Sequence, residues 1–478
     1  MSLRRAAGAT SAALVAAMLA PAAASAHGLV GKRDLPIPQW LFAWGATVVL
    51  VVSFVGLSAL WKTARLQETT EKRIVGVPRV LDPLAGLLGV AAFAFCVYAG
   101  FAGRQEATTN VLPTVVYVVF WVAVPFASVL FGDVFRAFNP WRAVARAVAW
   151  TAARVRSGRV PEALPYPAWL GRWPAVAGIL AFAWVELCYT NKADPSTLAV
   201  MALAYAAVQL VAMVLYGIDE WSDKGDAFGS YFGLFARLSP LRWGGGALWR
   251  RRPLSGVTTL APVAGTVALV CTAIGTTSFD GFSNGPLWNG TDTFIGLARF
   301  LENDIYARMS LNVEHALEAA FTTGMLLMVA VIATLYRLGI AGMSAVDRGK
   351  HPPAILARQF VHSLVPIALA YLVAHYFSLL IFQGQAMAYL ISDPLGHGAN
   401  LFGTATATID YNAISATTVW YVQVAALLAG HVSGLVLAHD RALVEYRTVR
   451  LASASQRWML AVMVAFTTLA LYLLSSSA

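Results

Sequence analysis

The sequence has little charge and few cysteines, and each shortage excludes a class of protein. Only 12% of the 478 residues are charged, whereas 58% are hydrophobic and the mean hydropathy is +0.65. This composition is typical of a polytopic membrane protein and not of a soluble enzyme. The three cysteines, Cys96, Cys188 and Cys271, fall in or near apolar runs without CxxC spacing. They therefore predict neither a disulfide framework nor a thiolate zinc site.

Several motifs of soluble catalysis are also missing. The chain contains no HExxH zinc motif, no Walker loop and no Rossmann glycine pattern. These absences argue against ATP-driven transport and against dinucleotide chemistry within this chain. The formal net charge of +10 does not indicate nucleic-acid binding, because the arginines lie in short loops between apolar runs.

The first 26 residues have the pattern of a cleavable signal peptide. Arg4 and Arg5 precede an alanine-rich apolar run that ends in Ala24-Ser25-Ala26, which is the small-residue pattern recognised by signal peptidase. We expect a mature chain that begins at His27 and forms one membrane domain over residues 27–478.

The mature sequence predicts an all-α integral membrane protein with about ten transmembrane helices. The ten apolar runs lie at residues 39–61, 80–102, 113–135, 173–190, 196–217, 258–276, 313–338, 362–386, 413–438 and 456–475. Arginine and lysine concentrate in alternate loops, which predicts that these loops face the cytoplasm. They lie at residues 62–79, 136–172, 218–257, 339–361 and 439–455. The expected location is the cell membrane, with the lipid bilayer as partner.

Three of the connecting segments are long enough to have structure of their own. The basic and aromatic segment 136–172 is expected to lie along the cytoplasmic membrane surface. Segment 218–257 predicts either another interfacial helix or a packed loop. The outer loops 277–312 and 387–412 are rich in turn-forming residues and are expected to form a cap.

A histidine in the middle of the eighth apolar run is the strongest candidate for a functional residue. His375 lies well inside the run from His362 to Gln385, where an ionisable side chain costs about 2.5 kcal/mol or more. Gln383 follows eight positions later, so both side chains can face one cavity. The alternative is that His375 and Gln383 only hydrogen-bond neighbouring helices.

Other polar residues near the outer ends of the runs can join His375 in one pocket. Glu186 closes the fourth run, while Glu314, His315 and Glu318 open the seventh. We predict His375, Glu314 and Glu318 as catalytic residues.

Imidazole and carboxylate groups together suit zinc, iron or manganese. A free N-terminal histidine would add an amine and a ring nitrogen for copper. The predicted metal ligands are therefore His27, Glu186, His315 and His375, and the alternative is that single Glu and His residues at the ends of spans contact lipid headgroups.

Two stretches carry a resemblance to a known family. They are HGLVGKRDLPIPQWLFAWGATVVLVVSFVGL, which begins at His27, and WYVQVAALLAGHVSGLVLAHDRAL, which begins at Trp420. The chain resembles actinobacterial multi-pass membrane proteins named fenitrothion hydrolase. That resemblance implies a multi-pass membrane architecture and hydrolysis of an organophosphate ester, without assigning any residue a role.

Three functions remain open from the sequence. In the first, a metal near His375 activates water for hydrolysis and Glu314 or Glu318 acts as the base. In the second, the protein is a permease or metal-handling protein whose polar residues exchange protons along a pathway. The third is a b-type haem protein with two histidines on one span, although the 13-residue gap between His362 and His375 fits stacked haems poorly and His431 and His439 are only eight positions apart. No pattern in the sequence names the small-molecule substrate.

Overall fold

The computed structural model describes residues 39–155, 162–291, 294–309 and 311–476. The predicted signal peptide and His27 lie outside the described residues. The described chain is mostly helical, which confirms the all-α prediction.

Seven helical segments are long and apolar enough to cross a membrane. About 20 residues of helix span the hydrocarbon layer, and these segments have 21 to 38 residues. We call them α2 (Leu81–Ala102), α3 (Val111–Phe131), α7 (Pro195–Tyr216), α13 (Val313–Val346), α14 to α16 (Pro353–Leu390), α17 (Ala416–Glu445) and α18 (Val449–Tyr472). The three other predicted spans overlap α1 (Gln39–Leu60), α6 (Trp173–Leu187) and α10 (Thr266–Ser283). The count of ten stays a prediction.

The remaining elements are short. Within Pro353–Leu390, α14 is Pro353–Phe360, α15 is Val365–Gln383 and α16 is Met387–Leu390; α18 continues to Ser476. The other helices are α4 (Val134–Phe138), α5 (Pro140–Val155), α8 (Ile218–Lys224), α9 (Ala227–Ala236), α11 (Pro286–Asn289) and α12 (Leu297–Arg299). The strands are β1 (Lys72–Gly76), β2 (Leu241–Gly244), β3 (Ala247–Arg250), β4 (Gly290–Thr291) and β5 (Phe294–Ile295).

The outward faces of the long helices carry large apolar side chains. Leu87 on α2, Val211 on α7 and Leu327 on α13 are each about 60% exposed. In water such contiguous apolar surface is unfavourable, whereas a bilayer covers it. The backbone groups of these helices bond within the helix, as an apolar solvent requires. This surface is the one expected of a protein that spans a membrane.

Helix α15 packs closely against α17. Small residues of α17 let the two helices approach each other. A Cβ atom at Gly430 of α17 would lie 2.4 Å from the Cβ of Ala370 and 2.7 Å from the carbonyl oxygen of Pro366. A Cβ atom at Gly434, one turn further on, would lie 2.8 Å from the carbonyl oxygen of Ser363. Glycine at such positions allows tight helix packing inside membranes.

The two basic segments that we placed on the cytoplasmic side differ in burial. In segment 136–172, α5 has exposed Val148 and Trp150 and buried Trp141, which suits a helix lying along the membrane surface. In segment 218–257, α9 is almost wholly buried, with Tyr231 and Phe232 at most 1% exposed. The packed alternative therefore describes α9 better than an interfacial helix does.

A small sheet follows α9 on the same side. Strand β3 pairs antiparallel with β2 and with β1, so the order is β1-β3-β2. The side chain of Arg242 on β2 binds the carboxylate of Glu71, with Nε to Oε1 at 2.7 Å. The sheet thus ties the loop after α1 to the segment that follows α9.

On the opposite side, α10 extends further than the sequence suggested. The outer loop was expected to begin at residue 277, but α10 continues to Ser283. Asp280 is consequently a residue of a buried helix and not of a loop, and it is only 5% exposed. Short helices and the β4-β5 hairpin form the rest of that loop.

Candidate functional site

Four polar side chains meet between α6, α10 and α15. We call Glu186, Asp280, His375 and Tyr376 the buried acid cluster. Nε2 of His375 lies 2.8 Å from Oδ2 of Asp280, and the hydroxyl of Tyr376 donates to the same oxygen at 2.9 Å. That hydroxyl also lies 3.4 Å from Oε1 of Glu186. The cluster therefore joins two carboxyl groups through one phenol and places an imidazole at one end.

Three helices supply these groups. His375 and Tyr376 are neighbours on α15, so their side chains diverge by about 100° around the helix. Their rings contact edge to face with centroids 4.7 Å apart. The carboxylate of Asp280, from α10, accepts from the hydroxyl of Tyr376 and lies within ion-pairing distance of the imidazole of His375. Glu186 comes from the last turn of α6 and is 8% exposed.

The end of α10 is stabilised just beyond the cluster. The hydroxyl of Ser283 and the side-chain amide of Asn284 both donate to the carbonyl oxygen of Asp280, at 2.9 and 2.8 Å. These bonds satisfy a carbonyl that the ending helix would leave without a partner. They hold the last turn of α10 helical, and with it the carboxylate of Asp280 in the interior.

A cavity of about 30 Å³ adjoins the cluster. It is lined by residues of α10, α15, α17 and α18, among them Ser278, Tyr371 and His375. One water molecule needs roughly 10 to 15 Å³ and polar partners; this cavity has the volume for about two, with a mostly apolar lining to which Ser278 and His375 contribute polar side chains. The buried hydroxyl oxygen of Ser278 has no hydrogen-bond partner among the described residues. Water in the cavity would give this hydroxyl a partner and would reach the imidazole of His375.

The predicted residues at the start of α13 form a separate, exposed group. The hydroxyl of Thr190 bonds Oε1 of Glu314 at 2.5 Å and Oε1 of Glu318 at 2.9 Å, and the backbone N–H of Thr190 also donates to Glu318. His315 bonds the side chain of Asn312, which caps α13. The structure thus brings Glu186 to His375, but it places Glu314, His315 and Glu318 against the turn after α6.

Gln383, which we expected to share a cavity with His375, lies at the end of α15. Its side-chain amide reaches the hydroxyl of Tyr411 in the outer loop, at 3.5 Å. This contact attaches the loop to the helix end.

The geometry of the acid cluster differs from that of a formed metal site. Among the described residues, no group of three or more His, Cys, Asp and Glu side chains is placed to hold a metal ion. Tetrahedral zinc with bonds of about 2.0 to 2.1 Å would separate its nitrogen and oxygen ligands by roughly 3.3 Å. Nε2 of His375 and Oδ2 of Asp280 are closer than that, at 2.8 Å. A zinc ion bound by both atoms would have to move them apart.

Two of the other membrane histidines have defined surroundings. Nδ1 of His431 donates to the carbonyl oxygen of Leu427 at 2.7 Å, while its buried Nε2 has no hydrogen-bond partner among the residues described. The ring of His431 lies 6.2 Å from that of Tyr371, which lines the cavity. Nδ1 of His362 donates to the carbonyl oxygen of Gln359 at 2.8 Å.

The pentapeptide GFSNG at residues 281–285 has the spacing of the GxSxG nucleophile motif. In hydrolases that motif forms a sharp turn between a strand and a helix, which exposes the serine. Here Ser283 ends a helix and bonds the carbonyl oxygen of Asp280. The motif therefore closes α10 in this fold and does not form a nucleophile elbow.

Asp280 and Tyr376 are the members of the cluster that sequence reasoning missed. Asp280 was assigned to a loop because Gly281 and Asn284 nearby indicated turns. The signal that could have found it is the run TTSFD, which extends the preceding apolar stretch by five residues that include no Gly or Pro. For Tyr376, the position directly after a buried histidine gave no comparable signal.

Comparisons with family models, with characterised proteins and with solved structures found no match. The resemblance noted from the sequence therefore stays a prediction. The function is inferred from the acid cluster and its surroundings.

Proposed function

We propose that the protein is a multi-pass permease of the cell membrane that exchanges protons at the buried acid cluster. The observation that carries the proposal is the contact of Asp280 with both His375 and Tyr376, inside a bundle of membrane-length helices. Ionisable groups are costly at such a position and often mark ion pathways or proton relays. Two acidic groups and one imidazole allow a single proton to change the net charge of the cluster.

The cluster offers a balanced route for one proton. A protonated Glu186 gives its proton to the hydroxyl oxygen of Tyr376 while that hydroxyl gives its own hydrogen to Oδ2 of Asp280. Tyr376 is unchanged at the end of this exchange, and the carboxyl of Asp280 is now protonated. Asp280 then passes the proton to Nε2 of His375, which borders the water-sized cavity. No oxidant or other reactant is required, because only hydrogen ions move.

The size of the cavity supports proton exchange over hydrolysis at this point. Sites for organic ligands usually enclose about 300 to 1,000 Å³, whereas the cavity beside His375 has about 30 Å³. An organophosphate ester does not fit in this cavity without movement of the helices. A water molecule is small enough to fit.

The pairing of His375 with Asp280 supports hydrolysis as a second candidate function. A carboxylate beside one imidazole nitrogen orients the ring in enzymes that use histidine as a general base. In that case His375 would be the base and Asp280 would orient it, in place of Glu314 or Glu318. Release of nitrophenol from an organophosphate ester by purified protein in detergent would support this candidate.

The test of proton exchange is the charge that moves after a pH jump. Protein reconstituted on a solid-supported membrane gives a transient current when protons bind inside the membrane, even if the transported substrate is unknown. We expect a transient current from the wild type and a loss of about tenfold or more in Asp280→Asn. The matched control is Glu318→Gln, which removes an exposed acid from α13 and should leave the current unchanged. An unaltered current in Asp280→Asn would disprove proton exchange at the cluster.

A further inference from the structure

One face of the three-stranded sheet carries exposed apolar side chains. Residues that pair in register lie on the same face of a sheet, so Val75 of β1, Leu248 of β3 and Trp243 of β2 form one row across the three strands. The side chains of Val75 and Trp243 are 53% and 49% exposed. Such a row is unfavourable in water, so it indicates an apolar contact with something outside the described chain.

The apolar row lies beside the end of a membrane-length helix. The indole N–H of Trp243 donates to the carbonyl oxygen of Phe131 at 2.6 Å, and Phe131 is the last residue of α3. The side chains of Leu130 and Phe131 are 61% and 56% exposed. On the other edge of the sheet, only residues 77–80 separate β1 from the start of α2 at Leu81. The row therefore adjoins the apolar surface of the helices, on the side predicted to face the cytoplasm.

Two cations lie next to each other on the same face of the sheet. Lys72 pairs in register with Arg250, and Arg250 follows Leu248 by two positions, so both cations share the face of the apolar row. Both residues are exposed, and neither forms an ion pair within the part of the chain that the structure describes. Like charges directly opposite each other in a sheet are destabilising. An anion bound at Lys72 and Arg250 would remove that repulsion.

The surroundings of this face stay basic after their acids are counted. Residues 62–79 contain five lysines and arginines and two glutamates, and residues 241–252 contain four arginines and no acid. One of the glutamates, Glu71, is paired with Arg242. Asp133, two residues beyond the end of α3, accepts from a backbone N–H as the cap of α4. The excess of positive charge makes this face complementary to an anionic surface.

We propose that this face of the sheet rests on anionic phospholipids of the cytoplasmic leaflet. Val75 and Trp243 would contact the boundary between acyl chains and headgroups, where tryptophan is favoured. Lys72 and Arg250 would contact the phosphates, since basic residues beside the cytoplasmic end of a membrane helix attract anionic lipids. A guanidinium can also bind a phosphate through two parallel hydrogen bonds. The proposal concerns a lipid contact and does not depend on proton exchange at the acid cluster.

Quenching of a fluorophore at Val75 by labelled lipids tests the proposal. Full-length Val75→Cys is labelled with bimane and reconstituted into phosphatidylcholine vesicles, to which phosphatidylcholine or phosphatidylglycerol with a nitroxide on the acyl chain is added. Labelling of the native cysteines is measured on the wild type. We expect both lipids to quench, and phosphatidylglycerol to bind about fivefold more tightly, the factor that one cation near an anionic surface supplies. The matched control is Arg73→Cys, on the opposite face of the same strand, where the lipids should quench little.

Removal of the two cations tests the selection of anions. Lys72→Gln/Arg250→Gln in the Val75→Cys protein should abolish the preference for phosphatidylglycerol and leave quenching by phosphatidylcholine unchanged. The control Arg104→Gln/Lys192→Gln removes the same charge from exposed residues on the opposite side and should keep the preference. Salt of about 1 M shortens the screening length to about 3 Å, so it should abolish the preference in the parent Val75→Cys protein. This last measurement decides if the variant without the two cations fails to fold.

Three results would overturn the proposal. Quenching of the label at Val75 by neither lipid would mean that this face of the sheet does not touch the membrane. Equal quenching by both lipids at low salt would mean that Lys72 and Arg250 do not select anions. An equal loss of preference in the two double variants would mean that the net charge of the protein, and not this face, attracts the lipid.

Discussion

Asp226 and Asp280 are both buried carboxylates, yet their partners differ in kind. Asp226 accepts from the side chains of Asn139 and Trp141, from the hydroxyl of Tyr205, and from two backbone N–H groups at the start of α9, all at 2.7 to 3.2 Å. Four of these five donors keep their hydrogen at all ordinary pH values. Asp280 meets an imidazole and a phenol instead.

The difference separates a structural carboxylate from one suited to exchange. Asp226 connects α5, α7 and α9, and its donors match the acceptor capacity of a carboxylate. Such a carboxylate stabilises the fold, and protonation would only weaken the hydrogen bonds that it accepts. The partners of Asp280 can themselves take or give a proton, and Glu186 is reached through the same phenol. Burial alone therefore does not distinguish a functional acid, whereas the chemistry of its partners does.

The largest expected effect is on stability at Asp226. Asp226→Ala would leave several buried donors without an acceptor, and we expect a loss of about 3 to 5 kcal/mol, as when one partner of a buried ion pair is removed. Asp280→Asn keeps its size and polarity, so we expect a much smaller loss. Thermal unfolding in detergent measures both. If Asp280→Asn proved the more destabilising of the two, the assignment of Asp226 as the structural acid would be wrong.

The next largest effect is expected on charge movement when the link between the two carboxyl groups of the acid cluster is removed. Tyr376→Phe removes the hydroxyl that joins Glu186 to Asp280, and we expect charge movement after a pH jump to slow by about tenfold or more. The phenyl ring keeps the packing, so the unfolding temperature should stay close to that of the wild type. Tyr205→Phe is the matched control, because it removes a phenol from Asp226 and should leave charge movement unchanged. Equal kinetics in all three proteins would contradict the relay through Tyr376.

A third prediction tests whether the acid cluster depends on the close packing of α15 against α17. A side chain at Gly430 would collide with Ala370 and with the backbone of Pro366. Gly430→Val should therefore destabilise the protein by about 1 to 3 kcal/mol, the usual cost of overpacking. We also expect it to reduce charge movement, since α15 carries His375 and Tyr376. Gly233, where a Cβ atom meets nothing within 4 Å, gives the control variant Gly233→Ala.

The smallest effect concerns a carboxylate outside the membrane. The hydrogen bonds and charge of Arg242 hold the pKa of Glu71 below its usual range. A lowered folded-state pKa means that Glu71 contributes stability above its unfolded pKa and loses that contribution as the pH falls through the folded value. Because Arg242 is 38% exposed, solvent screening limits the contribution to under about 1 kcal/mol.

The comparison of Glu71→Gln with the wild type at two pH values checks this. At pH 7 the variant should unfold at a slightly lower temperature, and the difference should shrink as the pH is lowered through the folded-state pKa of Glu71. A constant difference at both pH values would show that the ionised carboxylate is not the source of the effect.

The sequence by itself determined the membrane class, because hydropathy is a property of each segment taken alone. Each of the seven membrane-length segments overlaps a predicted apolar run, although four of them extend about two helical turns beyond it at one end. It also identified His375 and Glu186, since an ionisable residue within an apolar run is visible locally.

Only the tertiary structure decided which groups these residues meet. Asp280 and His375 are 95 positions apart in the chain, and their contact depends on how α10 packs beside α15. The burial of α9 likewise depends on aromatic partners from α3 and α6, such as Trp121, which stacks on Tyr231 with ring centroids 4.9 Å apart. Such pairings arise from the close approach of helices distant in sequence, and no periodicity within one helix encodes them.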